Sequence, residues 1–223
     1  MAFKENEMVL ILGPERTGTT SLLVSLGGVN RGLVHHWSLH LPRLGSFLTH
    51  DGKRTSTIAD IEKLYETMDI RLVIVPVRAP IDRIVSDVFH RMNQGEIPPA
   101  NGEPWSEYIM AMGHHDDAFY HMCYAVEHQI GAKILGKQFE PPSTIYEGKA
   151  PVLVARLRDF DKLPGILQDT GIEVSEIRHV NAEDYRKDIK FPAIYVDRIL
   201  GQLYTTTFYS EDEIEEMRQR WTE

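Results

Sequence analysis

Compact apolar runs recur along the chain and predict the strands of a sheet. Three of them are clear, at residues 8–12, 71–77 and 152–155. Each is short, rich in aliphatic residues and without strict alternation, which is typical of parallel strands buried on both faces. Leu33-Val34 predicts a further short strand, and residues 31–54 otherwise read as loop because glycine and proline interrupt them.

Segments with apolar residues at spacings of three and four separate these runs and predict helices. They lie after Gly18, at residues 58–68, from Pro80 to about residue 92, and at about residues 116–130. Pro80 suits the first turn of its helix, since the amide missing from proline has no intrahelical partner there. Strands that alternate with helices predict an α/β fold, in which a parallel sheet is flanked by helices.

The last part of the chain predicts helices alone. From Asn181 onward the pattern is helical, and Ser210 with Glu213 forms a capping box ahead of an amphipathic segment. We therefore expect a single domain over residues 1–223, with residues 181–223 as a helical C-terminal extension packed on it. Residues 95–104 are rich in glycine and proline and predict a mobile loop over a site.

Composition narrows the partners that such a domain can have. The 223 residues are 42% apolar and 26% charged, as in ordinary globular proteins, and the formal net charge is −9. This charge argues against nucleic acid or an anionic membrane surface as a partner. The chain has one cysteine, no apolar run long enough to span a bilayer and no signal-peptide pattern, so we expect a cytoplasmic protein.

Residues 13–21 follow the first predicted strand and have the outline of a phosphate-binding loop. Gly13 and Gly18 allow backbone amides to turn inward, and the N-terminus of the next helix adds partial positive charge. Hydroxyl donors follow at Thr17, Thr19, Thr20 and Ser21. Nucleoside-triphosphatase loops carry lysine directly after the second glycine, whereas this chain has Thr19 there and its cation at Arg16. The alternative is a strand–turn–helix whose glycines serve only the turn.

Two segments resemble one enzyme superfamily. Arg16-Thr17-Gly18-Thr19-Thr20 resembles the 5′-phosphosulfate loop of sulfotransferases that use 3′-phosphoadenosine 5′-phosphosulfate (PAPS). Residues 77–86 resemble the 3′-phosphate element of that superfamily, in which arginine ends a strand, proline opens a helix and serine follows. The resemblance implies a P-loop-type fold with PAPS as co-substrate and no metal ion. It assigns the 5′-phosphosulfate to Arg16, Thr17, Gly18, Thr19, Thr20 and Ser21, and the 3′-phosphate to Arg78 and Ser86.

Weaker similarity extends beyond these segments. Residues 153–160 look like the superfamily's later Arg-x-Glu-Asp-Leu strand, with Arg158 in place of the glutamate. Residues 127–134 and 208–221 resemble small bacterial sulfotransferase-like proteins linked to capsular polysaccharide synthesis. The resemblance implies sulfuryl transfer to a hydroxyl or amine of a small molecule or saccharide. Arg83 is either a further phosphate ligand or the partner of Asp87 on a solvated face.

Clustered histidines supply candidates for the catalytic base. The acceptor must lose a proton as it attacks sulfur, and histidine titrates near neutral pH. His35 and His36 follow the predicted second strand, where adjacent residues point opposite ways, and we slightly favour His36. His40 lies in Ser-Leu-His-Leu-Pro, which looks like the Thr-His-Leu-Pro segment of cytosolic sulfotransferases but comes sooner after the loop. Arg16 is the second catalytic candidate, because it can stabilise charge on the departing phosphate.

Two other functions stay open at this point. One is a P-loop nucleotide kinase or triphosphatase with a degenerate loop, and the other is a non-catalytic nucleotide-binding module. His114, His121 and His128 recur every seven residues, a spacing too long for one metal ion, so we predict a polar helix face rather than a metal site. Cys123 has apolar and aromatic neighbours and is predicted to be a core residue.

Overall fold

The chain folds into two compact units. The structure, a computed structural model, describes residues 7–13, 16–29, 33–38, 46–49, 54–55, 66, 68–112, 123, 126–128, 130–178 and 189–223, with backbone alone at 27–29, 33–38, 46–49 and 54–55. Unit 1 comprises Met1–Val77 and Ala118–Asn181. Unit 2 comprises Arg78–Asp117 and Ala182–Glu223.

Unit 1 is built on a seven-stranded sheet with the order β4-β3-β2-β1-β5-β7-β6. The strands are β1 (Glu7–Leu12), β2 (Leu33–Ser38), β3 (Ser46–Thr49), β4 (Arg54–Thr55), β5 (Asp69–Val77), β6 (Ser143–Tyr146) and β7 (Val152–Arg156). Neighbours among β2, β1, β5 and β7 run parallel, whereas β3, β4 and β6 add antiparallel pairs towards the two edges. The predicted α/β class and largely parallel sheet are confirmed.

Burial of the central strands explains why their sequences are uniformly apolar. Every residue of β1 and β7 is buried, as are the last six of β5. Aliphatic side chains of these strands join one core cluster with Leu22 and Leu26, and with Phe160, Leu163 and Leu167. A strand covered on both faces has no reason to alternate polar and apolar residues. The apolar runs therefore predicted these three strands to within two residues at either end.

The bounds of seven α-helices lie within the described residues. They are α1 (Thr19–Val29), α2 (Pro80–Asn93), α3 (Trp105–Met112), α4 (Leu163–Asp169), α5 (Ala193–Leu200), α6 (Leu203–Phe208) and α7 (Glu211–Trp221). A 3₁₀ turn, Leu157–Asp159, follows β7. Within the part of the chain described, no helix is both long enough and apolar enough to cross a membrane.

The described residues of unit 2 include α2, α3 and the three C-terminal helices. The predicted capping box is confirmed, since Ser210 Oγ accepts from the Glu213 amide and the Glu213 carboxylate accepts from the Ser210 amide. The ring of the buried Trp221 packs 5.9 Å from that of Phe191, so the end of the chain belongs to the core of this unit. The predicted loop at residues 95–104 is anchored here, because the Tyr108 hydroxyl donates to the Pro98 carbonyl.

Several elements differ from the sequence prediction. β2 continues to Ser38, so His35 and His36 lie inside this strand and not after it. The segment predicted as loop contains β3 and β4, because β3 pairs with β2 from His35↔Thr49 to Ser38↔Ser46. Such short strands depend on backbone partners in other segments, which an apolar pattern does not reveal. β6, α3 and α4 also had no predicted counterpart.

Three predictions fall largely outside the described residues. They are the helix at residues 58–68, most of the helix at about 116–130, and residues 181–188. In the second of these, residues 123, 126–128 and 130 are described and are helical. Cys123 is buried as predicted, and this burial raises the pKa of its thiol well above the ordinary value. A thiol held in its neutral form is a poor nucleophile.

Candidate functional site

The candidate site lies at the topological switch point of the sheet, where the strand order reverses. β1 has β2 on one side and β5 on the other, so the chain leaves β1 for one neighbour and later returns to the opposite one. In open parallel sheets, ligands bind beyond the carboxyl ends of the strands at such a switch point. Gly13 is the first residue after β1. The loop that begins at Gly13, of which residues 13 and 16–18 are described, therefore occupies the expected position for a ligand.

Close packing around position 13 leaves room only for glycine. A Cβ atom on this residue would lie 2.8 Å from Thr19 Cγ2 and 3.0 Å from both Pro76 Cγ and Thr17 Oγ1. Real Cβ atoms essentially never approach heavy atoms to 2.8 Å. The loop thus folds back tightly over the start of α1, and only glycine fits at its first position.

Gly18 is required for two independent reasons. Its φ of +94° lies in the region that side chains strongly disfavour. In addition, a Cβ atom would lie 2.6 Å from Leu157 Cδ1 and 2.8 Å from Phe160 Cε2, both of which belong to the segment after β7. The second glycine is therefore a packing surface for a distant part of unit 1 as well as a turn residue.

Arg16 has a left-handed backbone, with a φ of +66°. Residues other than glycine rarely adopt this conformation because it costs conformational energy. Residues with such strained backbones are concentrated at functional sites. Arg16 and Gly18 flank Thr17, whose φ is not positive. Alternation of this kind turns successive amides towards one side, as in the concave backbone sites that bind anions.

The N-terminus of α1 directly follows this turn. The Gly18 carbonyl accepts the first helical hydrogen bond from the Leu22 amide at 3.0 Å. The amides of the first helical turn have no carbonyl partner within the helix, and they carry the positive end of its dipole. No acidic side chain lies in that first turn to neutralise this charge. A tetrahedral anion is the kind of ligand that such a helix start favours.

The predicted hydroxyl ligands fall into two groups. Thr17, Thr19 and Ser21 are 0%, 3% and 4% exposed, whereas Thr20 is exposed. The buried side chains of Thr17 and Thr19 pack around Gly13 and thereby support the turn. Thr20 is thus the hydroxyl of these four that solvent reaches most readily.

Ser25 ties α1 to the rest of unit 1. Its hydroxyl donates to the Ser21 carbonyl at 2.7 Å and accepts from the Arg178 amide at 2.8 Å. Ser25 is 4% exposed, so both hydrogen bonds are shielded from water. The helix that follows the loop is therefore held by a hydrogen bond from residue 178 as well as by its apolar face.

A buried ion pair supports the loop from the side of β7. Arg156 ends this strand, and its Nε lies 2.6 Å from Asp159 Oδ2. The other carboxylate oxygen of Asp159 lies 3.1 Å from Lys162 Nζ. Between the paired residues stands Leu157, which packs on Gly18 together with Phe160. The sequence marks this segment only by a weak resemblance and does not predict its contact with the loop.

The second predicted element lies in unit 2. Arg78 follows the end of β5 and is partly buried, and Ser86 on α2 is 5% exposed. Arg83 is 6% exposed, so of the two alternatives the one that places it on a solvated face is wrong. Asp87 is likewise buried, and its carboxylate lies 3.9 Å from Arg91 Nη1. The reason is that α2 is buried on all sides from Pro80 to Phe89.

Tyr204 holds the backbone of Arg78, a contact that no sequence pattern predicted. The Tyr204 hydroxyl accepts from the Arg78 amide at 3.0 Å and donates to the Arg78 carbonyl. The two residues are 126 positions apart, and Tyr204 is 1% exposed. A buried tyrosine is a general signal for a hydrogen-bonded hydroxyl, although the pattern does not identify the partner.

The candidate bases are placed by backbone register alone. His35 pairs with Leu10 and His36 with Ile11, while Ser38 ends the strand. His40 lies outside the described residues, as do His114 and His121 of the helical stripe. His128 is exposed. The prediction that one of His35, His36 and His40 is the base stays a prediction.

Fold and loop together define a class, namely an α/β protein with an anion-favouring turn and helix N-terminus at the switch point of its sheet. No protein-family model, curated protein or solved structure matches this chain.

Proposed function

We propose that the chain is a PAPS-dependent sulfotransferase. It would transfer the sulfuryl group to a hydroxyl or amine, and a carbohydrate is the acceptor class that the sequence resemblance suggests. The observation that carries this proposal is the loop after β1, where Arg16 and Gly18 have positive φ and the α1 N-terminus follows. Its sequence matches the phosphosulfate loop and lacks the lysine that a triphosphatase loop would place at Thr19.

The loop amides and Arg16 would bind the 5′-phosphosulfate. As the acceptor oxygen or nitrogen attacks sulfur in line, the bond from sulfur to the bridging phosphate oxygen breaks and negative charge grows on that oxygen. Donors that already point at this position stabilise the charge without reorganising. Arg16 can add a charge-assisted hydrogen bond, which is stronger than a neutral one. The products are adenosine 3′,5′-bisphosphate and the sulfated acceptor.

Two further groups complete the proposed reaction. A histidine among His35, His36 and His40 would accept the proton that the acceptor loses. Arg78 and Ser86 would bind the 3′-phosphate of the nucleotide, for which a guanidinium is well suited because it can donate two parallel hydrogen bonds. The 3′-phosphate distinguishes this nucleotide from ATP, so these two residues would determine nucleotide choice.

Titration calorimetry tests the proposal with two nucleotides side by side. We expect adenosine 3′,5′-bisphosphate to bind without magnesium and more tightly than ATP with magnesium. Arg16→Ala should weaken this binding by about 10- to 100-fold, because a hydrogen bond from a charged group contributes about that factor to affinity. Arg178→Ala is the matched control, since the Arg178 side chain is 69% exposed and its amide is kept in the variant.

Each other result identifies a different function. Preferential binding of ATP with magnesium would replace the proposal by a kinase or triphosphatase. Bisphosphate binding without a sulfated product from any acceptor, and unaffected by replacement of all three histidines, would identify a non-catalytic nucleotide-binding module. Failure of both nucleotides to bind at millimolar concentration would refute nucleotide binding altogether.

A further inference from the structure

The backbone of Arg78 occupies a junction without regular hydrogen bonds. β5 ends at Val77, which pairs with Arg156 as the last residue of its ladder. α2 begins at Pro80, and its N-cap Ala79 makes no side-chain cap. The amide and carbonyl of Arg78 therefore belong neither to the sheet ladder nor to the helix. In a partly buried position, such groups need another partner.

Tyr204 supplies both hydrogen bonds from one atom. A phenolic hydroxyl has one proton to donate and lone pairs to accept, so it can serve an amide and a carbonyl of the same residue. Its ring packs 5.4 Å from that of Phe208 and is almost fully buried, which limits the movement of the hydroxyl. Rotation of the Arg78 peptide groups would break one or both of these hydrogen bonds.

We propose that Tyr204 is a positioning residue, which sets the direction of the Arg78 side chain by fixing its backbone. This inference rests on the proposed function, in which Arg78 binds the 3′-phosphate. It gives the C-terminal helices a specific role in nucleotide choice, because α6 carries Tyr204. Loss of the hydroxyl should leave the guanidinium present but poorly aligned, and recognition of the 3′-phosphate should weaken while the rest of the nucleotide binds as before.

The test compares two nucleotides that differ only in the 3′-phosphate. The quantity measured is the ratio of the Kd for adenosine 5′-monophosphate to the Kd for adenosine 3′,5′-bisphosphate. Tyr204→Phe should lower this ratio about tenfold, since two hydrogen bonds of ordinary net strength are lost. Arg78→Ala should lower the ratio at least as far. The Kd for the 5′-monophosphate should stay within about twofold of wild type in both variants.

Two control variants separate positioning from general damage. Tyr146→Phe removes a hydroxyl that donates to the Gln138 carbonyl in unit 1, and it should leave the ratio unchanged. Phe208→Leu loosens the packing around Tyr204 but keeps its hydroxyl, so it should lower the melting temperature and leave the ratio within about twofold of the wild-type value. All variants are assayed at a temperature at which circular dichroism shows them folded.

The outcomes distinguish this inference from the proposed function. If wild type shows no preference for the bisphosphate, the assignment of Arg78 to the 3′-phosphate is wrong, and the role of Tyr204 is lost with it. If the ratio of Kd values is the same in Tyr204→Phe as in wild type but falls in Arg78→Ala, the proposed function stands and the positioning role of Tyr204 is wrong. A rise in both Kd values by the same factor in Tyr204→Phe would likewise overturn the positioning role.

Discussion

The Arg156 guanidinium and the Asp159 carboxylate form an ion pair of 2.6 Å in which both side chains are at least nine-tenths buried. The pair closes the turn after β7, so that Leu157 and Phe160 pack against Gly18. A buried charge that loses its partner is costly, whereas an apolar pair of similar volume at the same positions is not. The pair therefore links the stability of unit 1 to the shape of the loop.

Removal of one partner should be strongly destabilising. We expect Asp159→Ala to lower the free energy of unfolding by about 3–5 kcal/mol, because it removes the carboxylate that lies 2.6 Å from a buried guanidinium. The double variant Arg156→Met with Asp159→Leu should recover most of this loss. Urea denaturation of wild type and both variants measures the effect. A single variant within about 0.5 kcal/mol of wild type would show that the pair is energetically unimportant.

A methyl group at Gly18 should damage the loop, and Gly165 offers a matched control. Gly18→Ala must take an unfavourable φ and must displace Leu157 or Phe160, so we expect a loss of at least about 1–2 kcal/mol. Gly165 lies within α4, where a Cβ atom would meet nothing within 4 Å, and Gly165→Ala should stabilise by about 0.5–1 kcal/mol.

Thermal unfolding and bisphosphate binding are measured together for these two glycine variants. Binding should fall in Gly18→Ala and stay unchanged in Gly165→Ala. If Gly18→Ala binds the bisphosphate as wild type does, the turn geometry is not what holds the nucleotide, whatever the change in stability.

Loss of Arg16 should reduce turnover more than it reduces nucleotide affinity. A donor aimed at charge that develops during the reaction contributes about 100- to 1,000-fold to kcat. The measurement is transfer of labelled sulfuryl from PAPS to a panel of saccharide acceptors, with Arg178→Ala as control. Turnover by Arg16→Ala at the wild-type rate would remove Arg16 from the mechanism.

One of the three candidate histidines should prove to be the base. Replacement of that residue by glutamine should lower kcat by about 100- to 10,000-fold, while the Kd for adenosine 3′,5′-bisphosphate stays near the wild-type value. His35, His36 and His40 are replaced one at a time in the same transfer assay. If all three single variants retain full activity, the proton acceptor is another group.

The capping box at α7 should contribute to stability alone. Ser210→Ala removes the acceptor for the Glu213 amide, and we expect a loss of about 1 kcal/mol in the free energy of unfolding. Thr206→Ala is the control, because this exposed hydroxyl only donates to the Leu203 carbonyl of its own helix. Nucleotide affinity should be unchanged in both variants, and equal stability losses would argue against the cap.

The sequence by itself determined the strands β1, β5 and β7, the start of α2 at Pro80 and the capped start of α7. Buried parallel strands must be apolar throughout, so β1, β5 and β7 could be recognised without any knowledge of their neighbours. The Ser210–Glu213 cap and the positive φ of Gly18 are equally local, since a terminal amide and a backbone conformation impose them.

Only the tertiary structure decided which distant residues support these features. Strand β3 exists through its pairing with β2, and the same register places His35 and His36 inside a strand. The contact of Phe160 with Gly18 and that of Tyr204 with Arg78 join segments far apart along the chain. The periodicity of apolar residues predicts whether a side chain is buried, but it does not predict which residues the side chain packs against. These long-range contacts are determined by the packing partners, which only the tertiary structure shows.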